Sequence, residues 1–241
     1  MALAKIPLLL LNSVATYIAL TPPNPKVPAE ERAKNVSFTE HIFSAIIRSW
    51  TLLLKVSTCG WSILEVVVIF ARNWRALPLS QHVLNTLVNG PHALADEIKI
   101  STMFLVGCSL VTGGALIRAL CYRTLGRHFT YEVAILKNHS LVTRGPYAYV
   151  RHPSYTAASL YALGVTMCSV CRGSWAGECG VLDIITGQIL GVFDISLLVL
   201  GVYAIVVMRM PQEDMLLREQ FGAQWETWAR KVPYKLIPYV Y

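Results

Sequence analysis

Charge is scarce in this chain. Only 15% of its 241 residues are Asp, Glu, Lys or Arg, where a soluble domain carries about a quarter. With 54% hydrophobic residues and a mean hydropathy of +0.49, that shortage argues against a soluble domain and for an integral membrane protein. Other absences narrow the class. No G-x-G-x-x-G follows a strand pattern and no G-x-S-x-G occurs, so a classical Rossmann nucleotide site is not supported. No Lys/Arg run suggests a nucleic-acid groove, and the net charge of +7 fits basic cytoplasmic loops instead. Cys168, Cys171 and Cys179 cluster near one loop, but no His or fourth Cys completes a zinc set, which favours free thiols over a metal or a disulfide. Cys59, Cys108 and Cys121 lie in or beside apolar segments, as small hydrophobes do. Lys5 precedes an apolar run, yet Thr21-Pro22-Pro23 follows in place of a small-x-small cleavage site. The run therefore reads as a first membrane helix. There is no internal repeat and no low-complexity tract.

What is present is a series of apolar segments. The first helix covers Leu3 to Leu20, followed by a Pro-rich, mixed-charge connection from Thr21 to Asn35. A long helical stretch runs from Phe38 to Arg72. It holds Arg48, Lys55 and Glu65, so its span is placed at Trp50 to Ala71, after an interfacial start and with Gly60 as a candidate kink. A polar loop, Asn73 to Glu97, leads to a third span over Ile98 to Leu120, where Gly107, Gly113 and Gly114 permit close packing. Pro153 suits the first turn of a fourth helix, ending near Val170. The loop Cys171 to Gly180 precedes a fifth span over Val181 to Met208, with Gly187 and Gly191 spaced as G-x-x-x-G. The tail reads as an amphipathic helix and then an extended end. The fold class expected is all-α and polytopic, with about five transmembrane helices. Residues 1–120 form an N-terminal membrane part, and residues 121–241 form a core of connection, hairpin and tail.

Arg123, Arg127, Lys137, Arg144 and Arg151 lie in the third-to-fourth connection, and Arg209, Arg218, Arg230, Lys231 and Lys235 lie at the tail. The other two loops are poor in basic residues. The positive-inside rule then puts connection and tail together on the cytosolic side. Two sequons, at Asn35 and Asn138, fall on that side and are expected to carry no glycan.

The densest polar run is His139 to Tyr155, which holds three tyrosines, two histidines and two arginines. The second cluster is Arg209 to Glu213, with Asp214 adding a carboxylate. Arg209 and Glu213, four apart, share a helix face. From spacing alone a plain i,i+4 pair at a membrane exit is the stronger reading, and Pro211 between them limits helix regularity. His152 and His139 are each a ligand, a base or a helix-start residue by type alone. No Cys or carboxylate stands at ligand spacing, so no metal is expected. Glu65 and Asp194 lie in apolar spans, where an acid is either functional or bonded to a neighbouring helix. Both readings stand at this stage. The residues define a membrane protein with one polar, cytosol-facing site, and composition does not name its reaction.

A resemblance does. The runs Leu125-Gly126-Arg127-His128-Phe129, His139-Ser140-Leu141-Val142-Thr143, Gly145-Pro146-Tyr147 and Arg151-His152-Pro153-Ser154-Tyr155, then Arg209, Glu213-Asp214, Leu217, Phe221-Gly222, Trp225 and Trp228, resemble the isoprenylcysteine carboxyl methyltransferase family from about Leu120 to the end. The resemblance implies an enzyme of the endoplasmic reticulum membrane that transfers a methyl group from S-adenosylmethionine to the C-terminal carboxylate of a prenylated cysteine. Its partners would be prenylated CaaX proteins, such as small GTPases and lipidated peptides, and the bilayer itself. It implies that His139, Ser140, Leu141, Val142, Tyr147, His152, Pro153, Ser154, Tyr155 and Glu213 line the cofactor, and that Arg209 holds the substrate carboxylate as the catalytic residue. Where the family often has paired glutamates this chain has Glu213-Asp214, and the stretch Phe129 to Asn138 is short, leaving Glu132 nearest to a polar contact expected there. The rival readings are an NADPH-dependent sterol reductase, a phospholipid or amine methyltransferase, and a non-catalytic membrane adaptor.

Overall fold

The computed structural model describes residues 2–28, 38–132 and 140–240. Helices account for all the regular structure among them, as the apolar composition leads one to expect. The helices are α1 (Lys5–Leu20), α2 (Phe38–Asn73), α3 (Pro78–Leu87), α4 (Thr102–Leu125), α5 (Pro153–Val170), the short α6 (Trp175–Glu178), α7 (Ile185–Tyr203), α8 (Met210–Phe221) and α9 (Ala223–Lys231). Both sequons lie outside the described residues.

Four helical runs are long and apolar enough to cross a membrane: Ala2–Leu20, Glu40–Asn73, Thr102–His128 and Ile185–Phe221. The fourth predicted span, α5, forms at the predicted bounds but is not among the four. Ser154, Tyr155, Thr156, Ser159, Thr166 and Ser169 dilute its apolar character. The 36 residues of α2 extend about 54 Å at 1.5 Å per residue, well beyond a hydrocarbon core of about 30 Å. Its helical hydrogen bonding continues through Gly60. The loop expected from Asn73 to Glu97 contains α3, with Pro78 in its first turn and Leu84 buried, and a 3-10 turn at His92–Glu97. Leu84, Val88, Ala95 and Ile98 pack into one hydrophobic cluster, so this polar-looking segment folds because it carries its own apolar stripe. The third span begins later than expected, at Thr102, where the Ser101 hydroxyl accepts from the Phe104 N–H at 3.2 Å as an N-cap.

By internal contacts the chain divides into two compact units. The first comprises Met1–Tyr17, Leu54–Gly113 and Leu160–Leu198, the second Ile18–Leu53, Gly114–Ser159 and Val199–Tyr241.

The first unit encloses an ion pair. Lys5 is wholly buried, with its Nζ 2.5 Å from Glu65 Oε1, 2.7 Å from the Gly173 carbonyl and 4.3 Å above the Phe104 ring. Glu65 is thus one of the intramembrane acids that bonds a neighbouring helix. Asp194 is another, accepting from Ser57 Oγ at 2.6 Å. Gly107 of α4 meets Gly164 of α5: a Cβ on Gly164 would stand 2.6 Å from the Gly107 carbonyl. Gly113 has nothing within 4 Å, and Gly187 faces the Val181 carbonyl of the turn before α7, so neither packs one span against another there. All six cysteines are free thiols.

The second unit is built around Ile47, Cys121, Phe129, Tyr131, Tyr147, Trp228 and Val232, with Leu141, Val142 and Trp225 packed against them. The chain end returns here. The amides of Arg151 and His152 donate to the carbonyls of Tyr234 and Lys235 at 2.9 and 2.8 Å, and Thr156 Oγ1 donates to Leu236 at 2.6 Å.

Candidate functional site

Pro211 fixes how the last span ends. Proline has no N–H to give to the carbonyl four residues back, and its ring crowds that carbonyl. The chain answers with a π-helical turn at Ala204–Arg209, in which the Met210 N–H reaches back to the Ile205 carbonyl. Such single wide turns are the usual form of π-helix and recur at functional sites. Helix α8 starts directly after it, so Arg209, Glu213 and Asp214 enter the second unit on one short stretch.

Arg209 is 4% exposed. Its Nε donates to Glu213 Oε1 at 2.9 Å, so the i,i+4 pair is made. Its Nη1 donates to the Tyr131 carbonyl, and its Cζ lies 5.7 Å from the Phe43 ring centroid. Glu213 Oε1 also accepts the Tyr155 hydroxyl. The neighbouring carboxylate, Asp214, accepts from Arg151 Nη1 at 2.9 Å, and its Oδ1 stands 3.0 Å from His152 Nε2. The other ring nitrogen of His152 is 3.7 Å from Glu213 Oε2. The His152 and Tyr155 rings stack at 5.5 Å and 3°. Arg151 is held further by the Pro233 carbonyl at 3.2 Å and lies 5.7 Å from the Trp225 ring.

This geometry sets the charge state of His152. Burial alone would lower its pKa, but the hydrogen bond to Asp214 and the charges of both carboxylates outweigh burial, and the net shift is upward from 6.5. Burial pushes the Tyr147 phenol well above its ordinary value, so it stays neutral at physiological pH.

Of the residues singled out from sequence, His152, Tyr155, Glu213 and Arg209 come together in one network. Pro153 opens α5 beside them. Ser154 turns elsewhere: its hydroxyl and carbonyl each lie 3.3 Å from Arg118 Nη1. Leu141, Val142 and Tyr147 belong to the aromatic cluster, with the Tyr147 carbonyl accepting from Trp228 Nε1 at 3.2 Å. Ser140 is exposed, and His139 lies outside the described residues. The sequence reading assigned no role to Arg151, Asp214, Tyr131 or Arg118. From sequence Asp214 stands only as a second carboxylate and as part of the Glu213-Asp214 match. Arg118 carried a usable signal, a cation deep in an apolar span. Glu132, named as nearest to a missing contact, is fully buried and pairs with Arg48 Nε at 2.8 Å.

The described residues therefore define an all-helical, multi-pass membrane protein with a buried, charge-sharing constellation in the C-terminal part of the run Ile185–Phe221. The model of the isoprenylcysteine carboxyl methyltransferase family matches residues 105–173, from within α4 to just beyond α5. A protein of Oryza sativa subsp. indica named "Probable protein-S-isoprenylcysteine O-methyltransferase" is 30% identical over 129 residues, 53% of this chain and 57% of its own length. The protein-S-isoprenylcysteine O-methyltransferase of Schizosaccharomyces pombe is 32% identical over 123 residues, 50% of this chain and 43% of its own. A Delta(14)-sterol reductase of Mus musculus is 29% identical over 101 residues, 42% of this chain and 20% of its own length. The chain spans about half the length of the methyltransferases it matches. The resemblance to the isoprenylcysteine carboxyl methyltransferase family read from the sequence is thereby shown, over about half of the chain.

Proposed function

We propose that this protein transfers a methyl group from S-adenosylmethionine to the C-terminal carboxylate of a prenylated cysteine in processed CaaX proteins, giving a methyl ester. The observation that carries the reading is the buried Arg209, held at Nε by Glu213 and at Nη1 by the Tyr131 carbonyl within the network that joins Tyr155 and His152. A free C-terminal carboxylate has a pKa of about 3.5, so it arrives ionised and needs no base. It needs a cation to place it, and a guanidinium offers a planar fork of five N–H donors. Two of these engage Glu213 and Tyr131, and a substrate carboxylate would take others on the same fork.

The residues present suit a sulfonium cofactor. Glu213 and Asp214 supply negative charge, and the stacked His152 and Tyr155 rings supply aromatic faces of the kind that favour cations. S-adenosylmethionine, when bound, supplies the methyl group. His139, Ser140, Leu141, Val142, Tyr147, His152, Pro153, Ser154, Tyr155 and Glu213 would hold it, and Arg209 would hold the carboxylate, within a core of residues 121–241. The contribution of the chain is then orientation and exclusion of water. The excess of Lys and Arg in the connection and tail supports a cytosol-facing site, and the endoplasmic reticulum membrane is the proposed location. Prenylated small GTPases are the class of partner.

The match to a sterol reductase favours one second reading, an NADPH-dependent reduction. The two separate in membranes carrying the protein, supplied with labelled S-adenosylmethionine and N-acetyl-farnesylcysteine. The expected product is a base-labile methyl ester, with S-adenosylmethionine bound in preference to NADPH. NADPH binding without ester would support the reductase, and cofactor binding without ester would support a phospholipid or amine methyltransferase.

A further inference from the structure

Arg118 lies within a membrane-spanning run and is 8% exposed. Among the described residues every hydrogen-bond partner it has is neutral. Its Nε donates to the Ala19 carbonyl at 2.6 Å and to Tyr122 Oη at 3.0 Å, its Nη1 lies 3.3 Å from Ser154, and its Nη2 donates to Tyr131 Oη at 3.1 Å. A cation in a span is costly and marks function by default. Its fan of contacts has a direction. Tyr131 is held by its hydroxyl, and the carbonyl of the same residue accepts from Arg209. The next residue, Glu132, is held by Arg48 through contacts of 2.8 and 3.4 Å. The carbonyl facing Arg209 therefore sits on a segment fixed at both of its side chains.

We infer that Tyr131 is a positioning residue: Arg118 clamps its hydroxyl so that its main-chain carbonyl sets the rotation of the Arg209 guanidinium. This rests on the reading of Arg209 as the group that receives the substrate carboxylate. Glu213 at Nε fixes one edge of the fork and the Tyr131 carbonyl at Nη1 fixes another, and two anchors leave a planar group no freedom to turn. Tyr131→Phe keeps the carbonyl and removes the clamp. Misplacement of a reacting group by an ångström costs up to about 100-fold in rate. Tyr122 provides the comparison: its hydroxyl bonds Arg118 and the Ala19 carbonyl at 3.0 and 2.8 Å and reaches Tyr131 Oη only at 3.4 Å, so its loss leaves the Arg118 clamp on Tyr131 in place.

The experiment is steady-state ester formation from N-acetyl-farnesylcysteine, with separate binding of labelled S-adenosylmethionine, for Tyr131→Phe, Tyr122→Phe and each change combined with Arg209→Lys. Tyr131→Phe is expected to lower kcat about tenfold or more with cofactor affinity kept, and to add nothing in the Arg209→Lys background, the signature of two residues acting as one. Tyr122→Phe is expected to lower thermal stability and leave kcat in place. Equal kcat losses for both tyrosines, or a Tyr131→Phe loss that persists in full beside Arg209→Lys, would overturn the positioning role while the wild type still made ester. A wild type that made no ester would overturn the reading of the function itself, and this role with it.

Discussion

Both units of this protein bury charge, and they do so differently. In the first, each buried acid keeps its own partner, Glu65 a cation and Asp194 the Ser57 hydroxyl. Lys5 faces Glu65, with the Gly173 carbonyl and the Phe104 ring completing its surroundings. Several hydroxyls of this unit bond within their own helices, as Ser13 does to Leu9, Thr58 to Leu54 and Ser62 to Thr58. In the second, partners are shared. Glu213 receives Arg209 and Tyr155 and faces His152, while Asp214 receives Arg151 and stands against His152. A matched pair is complete and has nothing to exchange. A network of shared acceptors can trade one partner for an arriving carboxylate or cation without leaving a buried charge alone, which would otherwise cost several kcal/mol. A buried acid with its own partner is therefore a weaker pointer to chemistry here than buried acids whose partners are shared.

The comparison can be broken at several points, the largest effect first. Glu65→Ala strands a buried ammonium and should destabilise the fold by about 3–5 kcal/mol, read as thermal unfolding in detergent, with ester turnover per folded molecule unchanged. Lost turnover without destabilisation would make the first unit functional and erase the distinction. Gly164→Ala would drive a methyl to 2.6 Å from the Gly107 carbonyl and 2.7 Å from the Val111 amide. It should cost about 1–3 kcal/mol, again without changing kcat. In the second unit, Glu213→Ala should raise the Kd for S-adenosylmethionine about tenfold, roughly 1.4 kcal/mol, by equilibrium binding of the labelled cofactor.

The smallest effect is pH-dependent. His152 has a folded-state pKa above its ordinary 6.5, so its protonated form is favoured by folding. That stabilisation is fully present below about 6.5 and is lost as pH rises through the raised folded value. The difference in Tm between wild type and His152→Gln should therefore shrink as pH increases through that window. A difference that grew instead would mean that His152 is held neutral between Asp214 and Glu213.

Much of this was legible in the sequence, because apolar length and proline are local signals. The first two membrane helices, the start of α5 at Pro153 and the Arg209–Glu213 pairing follow from them. Pro211 announced an irregular turn, although not its π form. The polar look of 73–97 hid α3, since a short amphipathic helix needs only one apolar stripe. The apolar stretch of α5 reads as a span from sequence, while its seven Ser, Thr and Tyr residues keep it out of the four most apolar runs. Pairings between distant positions left no local trace: Lys5 with Glu65, Gly107 with Gly164, and Arg118 with Tyr131 are set by tertiary packing. Asp214 went unassigned because its partners, Arg151 and His152, lie some 60 residues away.

The central claim is that Arg209 receives the substrate carboxylate in a network that otherwise holds the cofactor. It is tested most directly by Arg209→Ala in membranes with labelled S-adenosylmethionine and N-acetyl-farnesylcysteine, beside a binding measurement for the cofactor alone. Removing one preorganised donor of this kind typically costs about 100-fold or more in rate. The account predicts that base-labile ester falls to background while S-adenosylmethionine still binds. Ester formed at the wild-type rate by Arg209→Ala would contradict it.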